Sequence, residues 1–395
     1  MTPAARYAAA ASLLDEISDG RAAEQALTNW ARRSRFAGSG DRAALRDIVF
    51  DALRRKRSAA ARGGGETGRA LILGLLREAG DDPDAVFTGA RYALAPLTKE
   101  ERAGGNTPVG AAALDMPDWL LPDLRESLGA ALEPVCHTLR QRAEVHLRWH
   151  EGRTGAEQAM QALQEDGIET ERHPLAPTAL RVVQGARRVR QAAAYRDGRV
   201  ELQDAASQAV CAALDVQPGT RVLDYCAGGG GKSLALAARG ADVWAYDADA
   251  ARMADLPVRA ARAGDTIKLL KTQEITPLAP FDLVLVDAPC SGSGAWRRQV
   301  EGKWRLTRDG LDRLTSLQAQ ILDAAARHVR PGGVLAYATC SLLASENGRQ
   351  IDAFAARCGT NAPWRELRRD AYSPLDGGDG FFLAIVVSRP AHCTG

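Results

Sequence analysis

Between residues 221 and 341 short apolar runs alternate with amphipathic stretches. That alternation restricts the fold more than any other feature of the chain. "RVLDYC" (221–226), "ADVWAYD" (241–247), "TIKLLK" (266–271), "FDLVLVD" (281–287) and "GGVLAYATCS" (332–341) read as buried strands. "KSLALAARG" (232–240) and "ADAARMADLPVRAARAG" (248–264) read as helical. So does 309–329, with Leu311, Leu314, Leu317, Ile321 and Leu322 expected on one buried face. Such a series predicts an α/β fold with a mainly parallel sheet covered on both faces. Ligands of these sheets bind beyond the carboxyl ends of the strands. Asp224, Asp247, Asp287 and Cys340 all fall at such ends.

The loop "DYCAGGGGK" (224–232) joins a strand to a helix. Its glycines permit positive φ and a close approach of backbone to ligand. It is not a P-loop, because residue 227, where the first glycine would stand, is Ala. About 20 residues on, Asp247 ends the next strand, where an acid can hold two ribose hydroxyls. Asp224 with Gly228 and Gly230 resembles the acidic, glycine-rich loop of class I (Rossmann-like) methyltransferases, which implies S-adenosyl-L-methionine as cofactor.

Cys290 follows Asp287-Ala-Pro, and Cys340 ends a later strand. If those strands are neighbours, both thiols face one crevice. Carbon 5 of cytosine is too poor a nucleophile to take a methyl group unaided. A thiolate adding to carbon 6 places electron density on carbon 5, and the covalent route divides one hard step into easier ones. An acid near ring N3, for which Asp287 is placed, stabilises the developing charge. The nucleophile must be thiolate, and a nearby cation favours that form. Lys232, Arg297 and Lys303 are the candidates.

The segment 198–382 resembles the RNA cytosine-5 methyltransferases of the RsmB/NOP/NSUN family, bacterial 16S rRNA methyltransferase B included. "CAGGGGK" is similar to the family's cofactor loop. "DAPCSGSGAWRR…KW" (287–304) and "YATCSLLASEN" (337–347) resemble its two cysteine motifs, and "GDGFF" (378–382) its carboxyl-terminal strand. The resemblance implies that Cys340 is the nucleophile, that Cys290 helps release the product, and that Asp287 contacts the base. It also implies that Cys226, Ala227, Gly228, Gly229, Gly230, Gly231, Lys232, Asp247 and Asp287 hold S-adenosyl-L-methionine. Two departures stand out. Gly228-Gly229 replaces the family's usual Ala-Pro, which should loosen the loop. The acid expected near the adenine is replaced by Gln273 or Glu274.

Upstream, residues 116–200 resemble the family's small α+β linker domain, through "PDWLLPDL" and "LRWH". Residues 1–115 resemble a shortened all-α, NusB-like RNA-binding domain, and 201–395 the catalytic domain. "GSGD" (38–41) predicts a helix N-cap at Asp41, and more helix is expected over 81–115. Net charge is only +2, yet residues 21–62 are rich in arginine, as a polyanion partner requires. Arg297, Arg298, Lys303 and Trp304 are candidates for gripping phosphate or stacking on a base. His328 is expected to be structural.

The seven cysteines, Cys136, Cys211, Cys226, Cys290, Cys340, Cys358 and Cys393, show no CxxC spacing. This argues against a zinc site or a disulfide framework and for reduced thiols in a cytoplasmic protein. No stretch reads as a signal peptide or membrane span. The expected partner is RNA, with small-subunit rRNA first and tRNA as the alternative substrate. An alternative of another class is a non-catalytic RNA-binding assembly factor on the same scaffold.

Overall fold

Strands β1 (Val145–Trp149), β2 (Glu169–Arg172), β3 (Ala179–Gln184) and β4 (Val200–Leu202) pair as an antiparallel sheet of order β2-β3-β1-β4. The structure, a computed structural model, describes residues 1–359 and 364–389. Helix Ala156–Glu165 covers this sheet with Ala156, Ala159, Ala162 and Leu163, one apolar stripe at helical spacing. His146 on β1 faces Asp204, whose carboxylate also accepts from the backbone of Ala206 and Asp379. Glu144, His146 and His173 gather at this seam. His173 Nδ1 accepts from the Leu175 amide, so its neutral ring keeps the proton on Nε2 and offers no lone pair there.

A larger sheet is built from β5 (Arg221–Asp224), β6 (Asp242–Ala245), β7 (Ile267–Leu269), β8 (Phe281–Asp287), β9 (Val329–Thr339), β10 (Trp364–Tyr372) and β11 (Phe381–Ser388). Its order is β10-β11-β9-β8-β5-β6-β7. Strands β5 to β9 run parallel, and β11 is antiparallel to both neighbours. This is the class I methyltransferase arrangement that the sequence predicts. Strand β8 shows why it folds so: Val284 and Val286 enter the core on one face, Leu283 and Leu285 the core on the other. Each side chain so buried contributes about 1.5–3 kcal/mol. The chain leaves β5 for β6 and β7 and then returns to β8, so strand order reverses between β5 and β8. That switch point is where such sheets bind ligands.

Helix Arg308–Ala326 packs on this sheet with Leu311, Leu322 and Ala325 buried. Leu317, expected on the buried face, is 41% exposed, and Gln318 is buried in its place. His328 lies just past the helix, its carbonyl accepting from Phe281.

The two sheets belong to one compact unit, residues 143–295 with 307–395. Residues 1–142 with 296–306 form another. In this helical unit, helices Pro3–Ser18, Ser39–Arg54 and Gly68–Ala79 share a core of Leu13, Leu14, Leu45, Val49, Leu71 and Ile72. A Cβ on Gly68 would stand 1.9 Å from the Ala11 carbonyl oxygen, so glycine is required where those helices touch. Asp41 is not the N-cap: Gly38 is, and Asp41 sits three residues in, accepting from the Gly38 amide. Over 81–115 only short helical turns form. Arg297 and Lys303 are not a phosphate-gripping surface either. Both are buried, Lys303 Nζ donates to the Arg54 carbonyl, and Trp304 Nε1 donates to that of Leu53. Val300 joins the helical core, and Arg298 is exposed. No helix of the described residues is long and apolar enough to cross a membrane.

Candidate active site

The turn after β5 carries residues 226–232, and its glycines do different jobs. Gly228 has φ +50° and Gly230 φ +77°, both left-handed, whereas Gly229 has no such requirement. A Cβ on Gly230 would fall 2.2 Å from Leu256 Cδ1. The loop is also pinned rather than loosened. Its Ala227 amide donates to the Tyr246 carbonyl and its Gly228 amide to Asp247 Oδ2 at 2.9 Å, while Arg259 donates to the Gly229 carbonyl. Gly231 opens helix Gly231–Ala237, whose Lys232 side chain turns back toward the sheet.

Asp224 is fully buried. Ser233 Oγ donates to its Oδ2 at 2.6 Å, and its Oδ1 has no partner among the described residues. Burial pushes its carboxyl up to about 7, with the negative field of Asp287 adding to the effect. Asp247 is buried too, held by the Gly228 and Asp249 amides and by Arg252 at 3.1 Å. Burial likewise pushes the half-buried Cys226 thiol well up. These residues fit S-adenosylmethionine. Asp247 can take a ribose diol once the half-exposed Arg252 swings away, the Gly229 backbone is exposed, and Asp224 Oδ1 can accept a further hydrogen bond. Gln273 and Glu274 are exposed, and Glu274 caps its own helix at the Lys271 amide.

Parallel pairing of β8 with β9 sets Asp287 opposite Ala338, so the loops that follow leave the sheet side by side. Their thiols meet: Cys290 Sγ lies 3.4 Å from Cys340 Sγ. The hydrogen bond to Cys340, together with burial, raises the Cys290 thiol well above its ordinary range. Asp287 accepts from Lys232 Nζ at 2.6 Å. Burial works against the Lys232 charge, but Asp287 and Cys211 together outweigh it and push the ammonium up to about 12. The field of Cys340 acts in the same direction. Phe381, from "GDGFF", lies with its ring centroid 4.9 Å from Lys232 Nζ.

Sequence reasoning missed what clamps the two loops together. Glu346 is fully buried, and its carboxylate accepts from the Ser291 amide at 2.8 Å, from Gln318 at 3.0 Å, and from the Ser291 and Ser341 hydroxyls at 2.5 Å each. Gln318 also donates to the Pro289 carbonyl at 2.9 Å. Asn347 donates to the Ser341 carbonyl at 2.8 Å. Gly294 lies so close to Gly380 that a Cβ there would meet the Gly380 carbonyl oxygen at 2.0 Å. The signal was present in "SGSG" and "SEN", but only three-dimensional pairing gives those polar residues a shared partner. Cys136, Cys211 and Cys358 are free as well, and Cys393 lies outside the described residues.

A family model described as 16S rRNA methyltransferase RsmB/F matches residues 211–384. Another, described as an RsmF/B-like ferredoxin-like domain, matches residues 116–189. The ribosomal RNA small subunit methyltransferase B of Klebsiella pneumoniae is 33% identical over 286 residues, covering 69% of this chain and 66% of that one. The chain thus spans just under two thirds of that relative's length. The protein of the same name from Xanthomonas campestris is 34% identical over 312 residues, covering 74% and 70%. The crystal structure of PH0851 shares the fold, with a TM-score of 0.76 at 24% identity over 98% of this chain and 99% of that one.

Proposed function

The chain belongs to the RsmB/F methyltransferase family, and from that premise we propose that it methylates carbon 5 of a cytosine in small-subunit rRNA through a covalent adduct on Cys340. The observation that carries this reading is the 3.4 Å approach of two reduced thiols beside the Lys232–Asp287 pair. S-adenosylmethionine, held by the 226–232 turn and Asp247, supplies an electrophilic methyl group. Cys340 Sγ adds to carbon 6, and carbon 5 becomes nucleophilic. Asp287, paired with Lys232, accepts from the exocyclic amino group or a protonated N3 and fixes the ring. After transfer a base takes the proton from carbon 5, its electron pair re-forms the C5–C6 double bond, and the carbon–sulfur bond breaks with its electrons returning to Cys340. Cys290, adjacent to that sulfur, assists the release. A target base must be unpaired or flipped for a thiol to reach its ring face. The RNA-binding role of the helical unit is part of the same proposal.

The test uses purified protein, labelled S-adenosylmethionine and transcripts of small-subunit rRNA and of tRNA. Cys340→Ser is expected to transfer nothing. Cys290→Ser is expected to accumulate a denaturation-resistant protein–RNA adduct. Methyl transfer that survives Cys340→Ser refutes the assigned nucleophile. Labelling of tRNA alone moves the substrate assignment.

A further inference from the structure

The helical unit carries an open groove of about 560 Å³ that the methyl-transfer chemistry does not use. This is within the range of about 300–1,000 Å³ typical of ligand sites. Its floor is the alanine face of helix Pro3–Ser18, and Trp30, Phe36, Arg91 and Tyr92 stand around it. Phe36 is 77% exposed and Tyr92 70%. Side chains of this size normally bury most of their surface, and neither does so here. Tyr92 also holds φ +71°, at the third position of a turn closed by the Ala93 amide on the Ala90 carbonyl at 2.9 Å. That position ordinarily takes glycine, so the tyrosine is strained where it stands. The Arg91 guanidinium lies 4.9 Å from the centre of its ring.

Charge decides the occupant. No residue lining the groove is acidic. Arg32, Arg35 and Arg91 are exposed, and none has an acidic partner among the described residues, whereas Arg21 and Arg33 reach Glu16 and Arg6 reaches Asp41. An apolar protein segment would cover the alanine floor and leave unanswered Arg91, which lines the groove, and Arg35, the chain neighbour of Phe36. Unpaired RNA answers both, since every base has an apolar face and every linkage a negative charge. We propose that this groove holds unpaired nucleotides of the RNA substrate, with bases stacked on Phe36 and Tyr92 and phosphates on Arg35 and Arg91. The inference rests on the RNA methyltransferase reading and adds where, on the helical unit, a stretch of substrate is held.

The experiment titrates the full chain with labelled single-stranded fragments of small-subunit rRNA across a salt series, following anisotropy. In Phe36→Ala/Tyr92→Gly, Kd is expected to rise roughly 10- to 100-fold with the salt slope unchanged. In Arg35→Gln/Arg91→Gln, the slope of log K against log salt is expected to fall by about 1–2. Both aromatic side chains are exposed, and glycine suits the φ of Tyr92. The thermal midpoint of the first variant should therefore not fall, and misfolding would show there. Unchanged affinity in the aromatic variant overturns the inference alone, provided the wild type binds and methylates. So does a loss confined to the arginine variant, which leaves phosphate contact without stacking. A wild type that binds no rRNA fragment and transfers no methyl group overturns the functional reading, and this inference with it.

Discussion

Replacing Asp224 by Asn should change how stability depends on pH. The carboxyl has a folded-state pKa of about 7 against an ordinary 3.8, with burial the main cause. A raised acid keeps its proton longer in the native state, so the native state binds more protons between about pH 4 and pH 7. Stability therefore falls as pH rises through that window and levels off above it. Three pH units at about 1.4 kcal/mol each amount to about 4 kcal/mol. The full depth of the site means solvent screening removes little of this. Asn has no such titration, but its amide would meet the place where Oδ1 now has no partner, an offset of about 1–3 kcal/mol independent of pH. The variant should thus be less stable than wild type at pH 5 and at least as stable at pH 8.5. Two of those three units lie between pH 5 and pH 7, so the difference between the two curves should move by about 3 kcal/mol over that range. Guanidinium unfolding of both proteins from pH 5 to pH 8.5 measures it. Parallel curves, with a difference constant to within about 1 kcal/mol, would refute the claim that this carboxyl is held near neutrality.

Three further outcomes follow from the geometry. Gly230→Ala combines a left-handed φ with a Cβ 2.2 Å from Leu256 Cδ1, and is expected to cost about 2–3 kcal/mol and to weaken S-adenosylmethionine binding in calorimetry. Mild oxidation should link Cys290 to Cys340, seen as one cross-linked peptide by mass spectrometry. Glu346→Ala, which unpairs Ser291, Ser341 and Gln318, should slow that cross-link and destabilise by about 3–5 kcal/mol. Burial lowers Lys303 to about 8 from 10.5, so the native state binds fewer protons between those values. Stability of the wild type relative to Lys303→Met should then rise by about 3 kcal/mol from pH 8 to pH 10.5 and be lost as pH falls through 8.

The large sheet was legible because its central strands are mainly apolar, and β5, β8 and β9 end at or beside chemically marked residues. Strand β8 buries five of its seven positions, and only a run such as "FDLVLVD" supplies them. The convergence of Cys290 and Cys340 was legible on one condition, that β8 and β9 be neighbours, which they are. Polar residues inside the fold were not legible. Gln318 takes a position on its helix that hydropathy assigns to Leu317, because its amide bridges Pro289 and Glu346. Arg297 and Lys303 look like surface charge in one dimension. Nothing in their spacing shows that residues 296–306 pack among helices more than 200 residues earlier in the chain. Loop stiffness was misjudged for a related reason: glycine content measures conformational freedom, while the amide bonds to Tyr246 and Asp247 decide how much of it survives.

Which charge supports a thiolate at Cys340 is then a matter of elimination. Of the cations the sequence offers, Lys303 spends its ammonium on the Arg54 carbonyl, and Arg297 is buried in the helical unit. Lys232 remains, paired with Asp287 and feeling the field of Cys340. Coulomb attraction acts equally on both partners, so whatever Cys340 contributes to the ammonium, the ammonium returns to the thiolate. Asp287 shares that cation, and a net-neutral Lys232–Asp287 pair screens it, which keeps the effect modest. Lys232→Met should leave Asp287 without its partner and slow alkylation of Cys340 by iodoacetamide at pH 7 by roughly tenfold, while Lys232→Arg recovers most of the rate. A quadruple control, each variant in the wild-type and Cys290→Ser backgrounds, isolates the reacting sulfur. Equal alkylation of Cys340 in the Met and wild-type proteins would show that Lys232 serves Asp287 alone and that the thiolate is supported from elsewhere.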